Sequence, residues 1–373
     1  MRPLALIFAL PLAVSLVAQT PAPAPPKRTF TDVKILPHTP VKNQAQTGTC
    51  WCFGTVALIE SEIIRKGKGE IDLSEMHLVR AAYPRRAEAF IRLHGAMDWG
   101  QGAQNIDALN SMSQVGLVPQ EAYTGRPNGE KNHNHSELNR ALGGFLNGVK
   151  GGRQLSPAWP TAVDGILDAY LGKPVTSFTY GGRTWTPMAF MKDHLQIDPA
   201  DYVAIASFTQ YAPYTRFRLP VPDNWSHYAD FHNIPFDEFA SLLDSAIENG
   251  FTYSVAQDVS EIGFQQRRGY ALLLGPDAKA EDEDELHPVT PELKAKMFDD
   301  WRTTDDHMMH CVGTAKDDKG NTFYLIKNSW GTENSEYKGF IYESRNYMLA
   351  KTLYITIHKD ALPQDLRAKL GIR

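Results

Sequence analysis

Cysteine is scarce, with only Cys50, Cys52 and Cys311 among 373 residues. An odd set this small does not make a disulfide framework. Cys50 and Cys52 are also too close in sequence to bridge easily, since a disulfide needs α-carbons about 4.4 to 6.8 Å apart and converging side chains. The C-x-x-C spacing of redox motifs is missing, and so are the extra cysteine pair or histidine spacing of a zinc module. Positive charge is not in excess either. Lys and Arg number 38 against 43 Asp and Glu, net −5, so the chain offers no basic field and nucleic acid is not an expected partner. The amino-terminal apolar run, "PLALIFALPLAVSLVA", is too short and proline-interrupted for a membrane span, so no stable anchor is expected. No internal repeat is visible.

That run follows Met1-Arg2 and fits the apolar core of a secretion signal. The expected organisation is a signal peptide at 1–18 cut after Ala18, a proline-rich extended linker at 19–28, and one folded domain at 29–373. No cysteine follows the run, so a lipoprotein anchor has no support, and the mature chain is expected to be periplasmic or extracellular. A hydrophobic content of 42% with 22% charged residues is that of a globular protein able to bury a core. In such an exported chain an unpaired thiol is a candidate reactive group.

The stretch "NQAQTGTCWCFGTVALIESEI", residues 43–63, sets Cys50 at the mouth of an amphipathic run that "KGKG" ends. Apolar residues at three- and four-residue steps predict a buried helix, with Gly48 and Thr49 as turn and cap. Cys50 then falls in the first turn, where free backbone N–H groups and the dipole favour a thiolate. Gln44, six residues earlier, is placed so that its amide can return beside the sulfur and donate to a developing oxyanion. An inert buried cysteine explains the helix equally well but leaves Gln44 without a purpose.

Downstream, "MMHCVGTAK" and "TFYLIKNSW" read as strands joined by the turn "DDKGN", with "GFIYES" a third. His307 and Asn328 then lie side by side, as a general base and its orienting amide would. His310 is the rival base. It is three residues from His307, which on a strand turns it to the opposite face.

These segments carry a resemblance. "QAQTGTCWCF" is similar to the papain-like cysteine protease signature, and "DH" followed by "NSWG" resembles that family's histidine and asparagine motifs. The resemblance implies Cys50 as nucleophile, His307 as general base, Asn328 as its orienter and Gln44 as oxyanion donor, with Trp330 shielding the Asn328–His307 hydrogen bond. It implies a papain-like α+β fold of two lobes, one helical and one β-rich, with the site between them and no metal or organic cofactor. Cys52 and Cys311 read as core residues, and only His307 of the two histidines follows an aspartate.

His307 lies roughly 250 residues after Cys50, against about 130 to 150 in papain itself, so about a hundred residues are inserted. The insertion, within 125–250, is expected to be helical and to sit on the cleft rim, and with "WGQGAQNIDALNSMSQVGLVPQEAY" it resembles the bleomycin hydrolase and aminopeptidase C group. That likeness implies an aminopeptidase acting on peptide substrates, and a ring-like homo-hexamer. Thr47 stands where the papain signature has a second cysteine, so that disulfide is absent. No folded inhibitory pro-segment fits ahead of Cys50, and the enzyme is expected to be made active. In this group a carboxy-terminal arm enters the cleft and its carboxylate holds the substrate amino group. Here "ALPQDLRAKLG" resembles the helix before the arm and the sequence stops just after it. An oligopeptidase or endopeptidase with an open cleft is therefore the alternative, and a non-catalytic binding protein of the same fold is the less favoured one, since nucleophile, base, orienter and oxyanion donor are all present.

Gly100, Gln101 and Gly102 of "WGQGA" resemble the glycine loop that pairs with an extended substrate backbone, because a missing side chain lets two backbones approach. An ordinary glycine turn before the next helix is the competing reading. The pair His133 and His135 in "NHNHSE" reads as solvated surface rather than a metal site, "EDEDE" as an exposed acidic loop, and "TPELKAKMFDDW" as a short helix.

Overall fold

Two helical stretches and a long run of β-branched and aromatic segments are divided by one sheet, whose two faces carry separate cores. The computed structural model describes residues 28–333 and 335–373, so the expected signal segment, and the expected linker apart from Arg28, lie outside the described residues.

β1 (Phe30–Ile35) leads to α1 (Cys50–Arg65), α2 (Glu75–Arg92) and α3 (Asn105–Val115). The next segment supplies α4 (Ser136–Lys150), α5 (Trp159–Leu171), the hairpin β2 (Phe178–Tyr180) and β3 (Arg183–Trp185), and α6 (Pro187–Ala189), which runs into a π-helical turn. It continues with β4 (Tyr202–Ala206), β5 (Arg216–Phe217), β6 (Phe231–Asn233) and α7 (Phe236–Glu248). Then come β7 (Tyr253–Gln257), β8 (Phe264–Gln265), β9 (Tyr270–Ala271), α8 (Pro291–Asp299), β10 (His307–Asp317), β11 (Thr322–Lys327), β12 (Phe340–Ser344), α9 (Arg345–Lys351), β13 (Thr352–His358) and α10 (Gln364–Leu370).

Among the described residues the sheet runs β5-β6-β4-β13-β7-β10-β11-β12-β9-β8, with β1 also on β10. The period of two along a strand explains its double burial. Met308, Ala256 and Tyr354 join the core under α1, α2 and α3, whereas Met309, Val255 and Ile355 join the core under α7. This is the papain-like α+β architecture, a helical lobe against a β lobe. The inserted stretch is helical in α4 and α5 but then adds β4, β5 and β6 to the sheet, because "YVAIA" is a β-branched run that pairs antiparallel with β13. At the other end of the chain, Leu366 and Leu370 of α10 pack into the α7 core and Lys369 Nζ reaches Glu238 Oε1 at 3.0 Å.

Candidate active site

The helix α1 begins at Cys50 and is buried nearly throughout, ending at Arg65 with Lys66 as its C-cap, after which Gly67 takes a φ of 72°. Thr49 is its N-cap by position, but its hydroxyl bonds Thr47 Oγ1 at 2.6 Å instead of capping the backbone, which corrects the expected side-chain cap. α1 rests on β10 at Gly54, where a methyl group would lie 3.0 Å from Ser254 Oγ and 3.3 Å from the Met308 carbonyl. That close approach brings the start of α1 to the start of β10.

His307 opens β10 and is buried, at 4% exposure. Its Nε2 is 2.7 Å from Asn328 Oδ1, just past the end of β11. The Trp330 ring lies over the imidazole with centroids 4.6 Å apart, and Phe264 meets Trp330 edge-on at 6.0 Å. His310 is fully buried and neither ring nitrogen has a hydrogen-bond partner among the described residues. Cys52 and Cys311 are fully buried core residues, Cys52 with its thiol on the Glu75 carbonyl at 3.3 Å.

Gln44 reaches the same place from the loop before α1. Its backbone N–H donates to the Ser329 carbonyl at 2.8 Å, the Ser329 hydroxyl donates to its Oε1 at 2.6 Å, and its Nε2 donates to the Thr47 carbonyl at 2.7 Å. One Nε2 hydrogen is thereby left for another acceptor. Ala45 beside it holds a φ of 52°, and Asn43 pairs with Trp330. The Gln46 N–H donates to the His133 carbonyl and the His135 N–H to the Gln46 carbonyl, both at 3.1 Å. His133 and His135 are therefore not solvated: they are buried, at 9% and 3% exposure, and burial pulls each imidazole down to about 4. They brace the loop that carries Gln44.

The glycine loop flanks α1. The Gly48 N–H donates to Gln101 Oε1 at 2.9 Å and Trp51 Nε1 to the Gln101 carbonyl at 3.0 Å. Gly102 is covered, because a methyl there would fall 1.8 Å from Asp223 Oδ2, so only a glycine fits beneath that carboxylate. Asp223, Gln266 and Ser329 were not singled out in the sequence. Ser329 at least sits inside "NSW", and the other two lie in polar loops without a periodic signal.

Electrostatically, burial pushes the Cys50 thiol up to about 12, reinforced by the Asp305 and Asp223 carboxylates and opposed by backbone hydrogen bonding from Met308 and Trp51. Burial likewise pulls His307 down to about 4 against the Asn328 hydrogen bond, which raises it. The helix terminus is thus outweighed by desolvation, and taken singly both groups are neutral. An ion pair would form only by transfer of the thiol proton to the imidazole, where each new charge stabilises the other.

Residues 179–372 match the model of the peptidase C1-like family, and residues 28–143 match that of the papain family cysteine proteases. Aminopeptidase C of Lactobacillus delbrueckii subsp. lactis is 23% identical over 377 residues, covering 88% of this chain and 81% of the relative. Aminopeptidase C of Lactococcus lactis subsp. cremoris is 24% identical over 383 residues, covering 87% and 82%. The crystal structure of PepW from Lactobacillus rhamnosis superposes with a TM-score of 0.71 at 19% identity, covering 91% of this chain and 84% of that one, and so shares the fold. With a family model spanning more than half of its length, the chain belongs to the peptidase C1-like family and is a cysteine-type peptidase.

Proposed function

We propose that the chain is an aminopeptidase of the aminopeptidase C type whose nucleophile is Cys50. The observation that carries the site is the 2.7 Å contact of His307 Nε2 with Asn328 Oδ1 under Trp330, beside the first turn of α1. His307 Nδ1 takes the thiol proton as Cys50 Sγ attacks the scissile carbonyl carbon. The free N–H of the Gln44 amide and the first-turn N–H groups of α1 hold the oxygen that becomes negative. The imidazolium then protonates the departing amine as the carbon–nitrogen bond breaks, leaving a thioester. Water, deprotonated by His307, adds to that thioester, and the thiolate leaves and recovers its proton. Asn328 keeps the ring in the tautomer and orientation this cycle needs.

Restriction to the amino end is supported by the aminopeptidase C relatives, aligned over most of both chains. Digestion of one peptide in free and Nα-acetylated forms, read by mass, tests it. The proposal expects stepwise shortening of the free form only, and internal cutting of both at similar rates would refute it. Export after cleavage near Ala18 and assembly into a hexamer are part of the same proposal. Amino-terminal sequencing of the secreted protein and light scattering check them.

A further inference from the structure

We propose that Asp223 anchors the α-ammonium group of the substrate, so that one carboxylate of the inserted segment selects peptides with a free amino terminus. This deepens the aminopeptidase reading and rests on it.

An ammonium group leaving water for a cleft needs a fixed anion to replace its hydration. Asp223 lies against Gly102, with its Oδ2 1.8 Å and its Oδ1 2.7 Å from where a methyl group on that glycine would be. The neighbouring Gln101 is bonded to Gly48 and Trp51, which bracket Cys50, so this carboxylate sits at the edge of the reacting site. Its charge is felt at the Cys50 thiol and at Asp305.

Among the described residues no hydrogen bond reaches Asp223. Arg86 forms an ion pair with it at 3.7 Å, too long for a hydrogen bond, while its guanidinium donates to the Gly102 and Asp98 carbonyls, so the hydrogen-bonding positions of the carboxylate are left for a ligand. The side chain is 35% exposed, which leaves its oxygens open to a ligand. Asp305 is the weaker candidate because it already accepts from Gln104 Nε2 at 2.6 Å, and burial beside Asp223 raises it to about 7.

The loop bearing Asp223 is stiff. Pro220 and Pro222 fix two of its φ angles, and Asn224 closes it with Nδ2 donating to the Leu219 and Tyr228 carbonyls at 3.0 Å each. Trp225 is buried under Arg85 and Arg86, whose guanidinium carbons lie 5.7 and 5.8 Å from its ring. An anchor held this way loses little freedom on binding. A cavity of about 590 Å³ on the same loop, lined by Pro220, Val221, Phe298, Trp301 and Asp305, gives a substrate side chain room. Because Asp223 lies over Gly102, an acetyl group or a preceding residue on the bound amine would meet its carboxylate as well as lose the charge.

The experiment measures kcat and KM of the full chain and of Asp223→Asn, Asp223→Ser and Asp223→Glu on one peptide, free and Nα-acetylated, with thermal melting to confirm folding. The native protein is expected to prefer the free form. Asp223→Asn and Asp223→Ser should raise KM for the free peptide on the order of tenfold to a hundredfold, as for loss of one charge-assisted hydrogen bond. The preference for the free form should collapse with it, and Asp223→Glu should recover part of it. Folded variants that keep the native preference would overturn the anchor and leave the aminopeptidase reading standing. A native protein indifferent to acetylation would overturn that reading itself.

Discussion

Asn328 donates through Nδ2 to Gln266 Oε1 at 3.0 Å, while its Oδ1 lies 2.7 Å from His307 Nε2. The Ser329 N–H also donates to Asn328 Oδ1, at 2.7 Å. A carboxamide has one acceptor end and one donor end, so these contacts leave it a single sensible orientation. Gln266, just after β8, thereby acts on His307 through Asn328.

Gln266→Leu should therefore lower kcat/KM about 3- to 30-fold, the effect of losing one partly buried hydrogen bond. KM should change little, because no substrate contact is lost. Gln266→Glu keeps the acceptor and should restore most of the rate. Steady-state kinetics on a short free peptide decides: equal rates for all three proteins would mean that Asn328 holds its orientation unaided.

Cys50 and Cys52 are two residues apart and should behave oppositely. Cys50→Ala is expected to abolish both peptide hydrolysis and labelling by a thiol-directed inhibitor. Cys52→Ala should keep both and lose about 1 kcal/mol of stability, since it empties a fully buried position and gives up the contact with the Glu75 carbonyl. Full activity of the Cys50 variant would remove it as nucleophile.

The elements that carry these residues were legible in sequence because each has a local signature. Helical spacing after Cys50, the "DDKGN" turn and the apolar runs around it place α1, β10 and β11, and His307 and Asn328 follow from the strand ends. Gln266 and Asp223 sit in "FQQRRGY" and "LPVPDNW", where nothing periodic distinguishes one polar residue from the next, and their partners are 62 and more than 100 residues away. Burial was equally hidden: "NHNHSE" is polar in every position, yet His133 and His135 are buried where the segment pairs with the Gln46 loop. The same long-range burial decides the charge state of Cys50, which its place at a helix start does not reveal.

Glu343 on β12 is fully buried, and its hydrogen-bonded partner is Gln257 Nε2 at 2.8 Å. Burial raises its carboxyl from 4.5 to about 8 in spite of that bond. A folded pKa above the unfolded one means the folded chain binds the extra proton. The contribution is whole below about 4.5 and is lost as pH rises through about 8. Glu343→Gln should flatten that slope, leaving the variant less affected than the native protein by a rise from pH 5 to 9, with a difference on the order of a few kcal/mol. Urea midpoints at pH 5, 7 and 9 provide the check, and parallel profiles would contradict it.

Gly54 offers the sharpest test of how the two lobes set the distance between Cys50 and His307. In the interior of a helix, alanine is ordinarily better than glycine by about 0.5–1 kcal/mol. Gly144 on α4 meets that condition, since a methyl there touches nothing within 4 Å, and Gly144→Ala should raise stability by about that amount with activity unchanged. At Gly54 the same methyl would lie 3.0 Å from Ser254 Oγ and 3.3 Å from the carbon and oxygen of the Met308 carbonyl, all buried and fixed in the sheet. Relief requires α1 and β10 to separate by a few tenths of an ångström, and overpacking of this kind costs about 1–3 kcal/mol. The strand that moves begins with His307 and the helix begins with Cys50, so the separation falls on the proposed reacting pair. Gly54→Ala should therefore lower kcat/KM by about tenfold or more, well beyond what a small loss of stability explains, because misplacement of reacting groups is costly. Melting temperature and kcat/KM measured on both alanine variants discriminate the cases. If Gly54→Ala were as stable and as active as Gly144→Ala, the contact between α1 and β10 would not be what sets the geometry of the site.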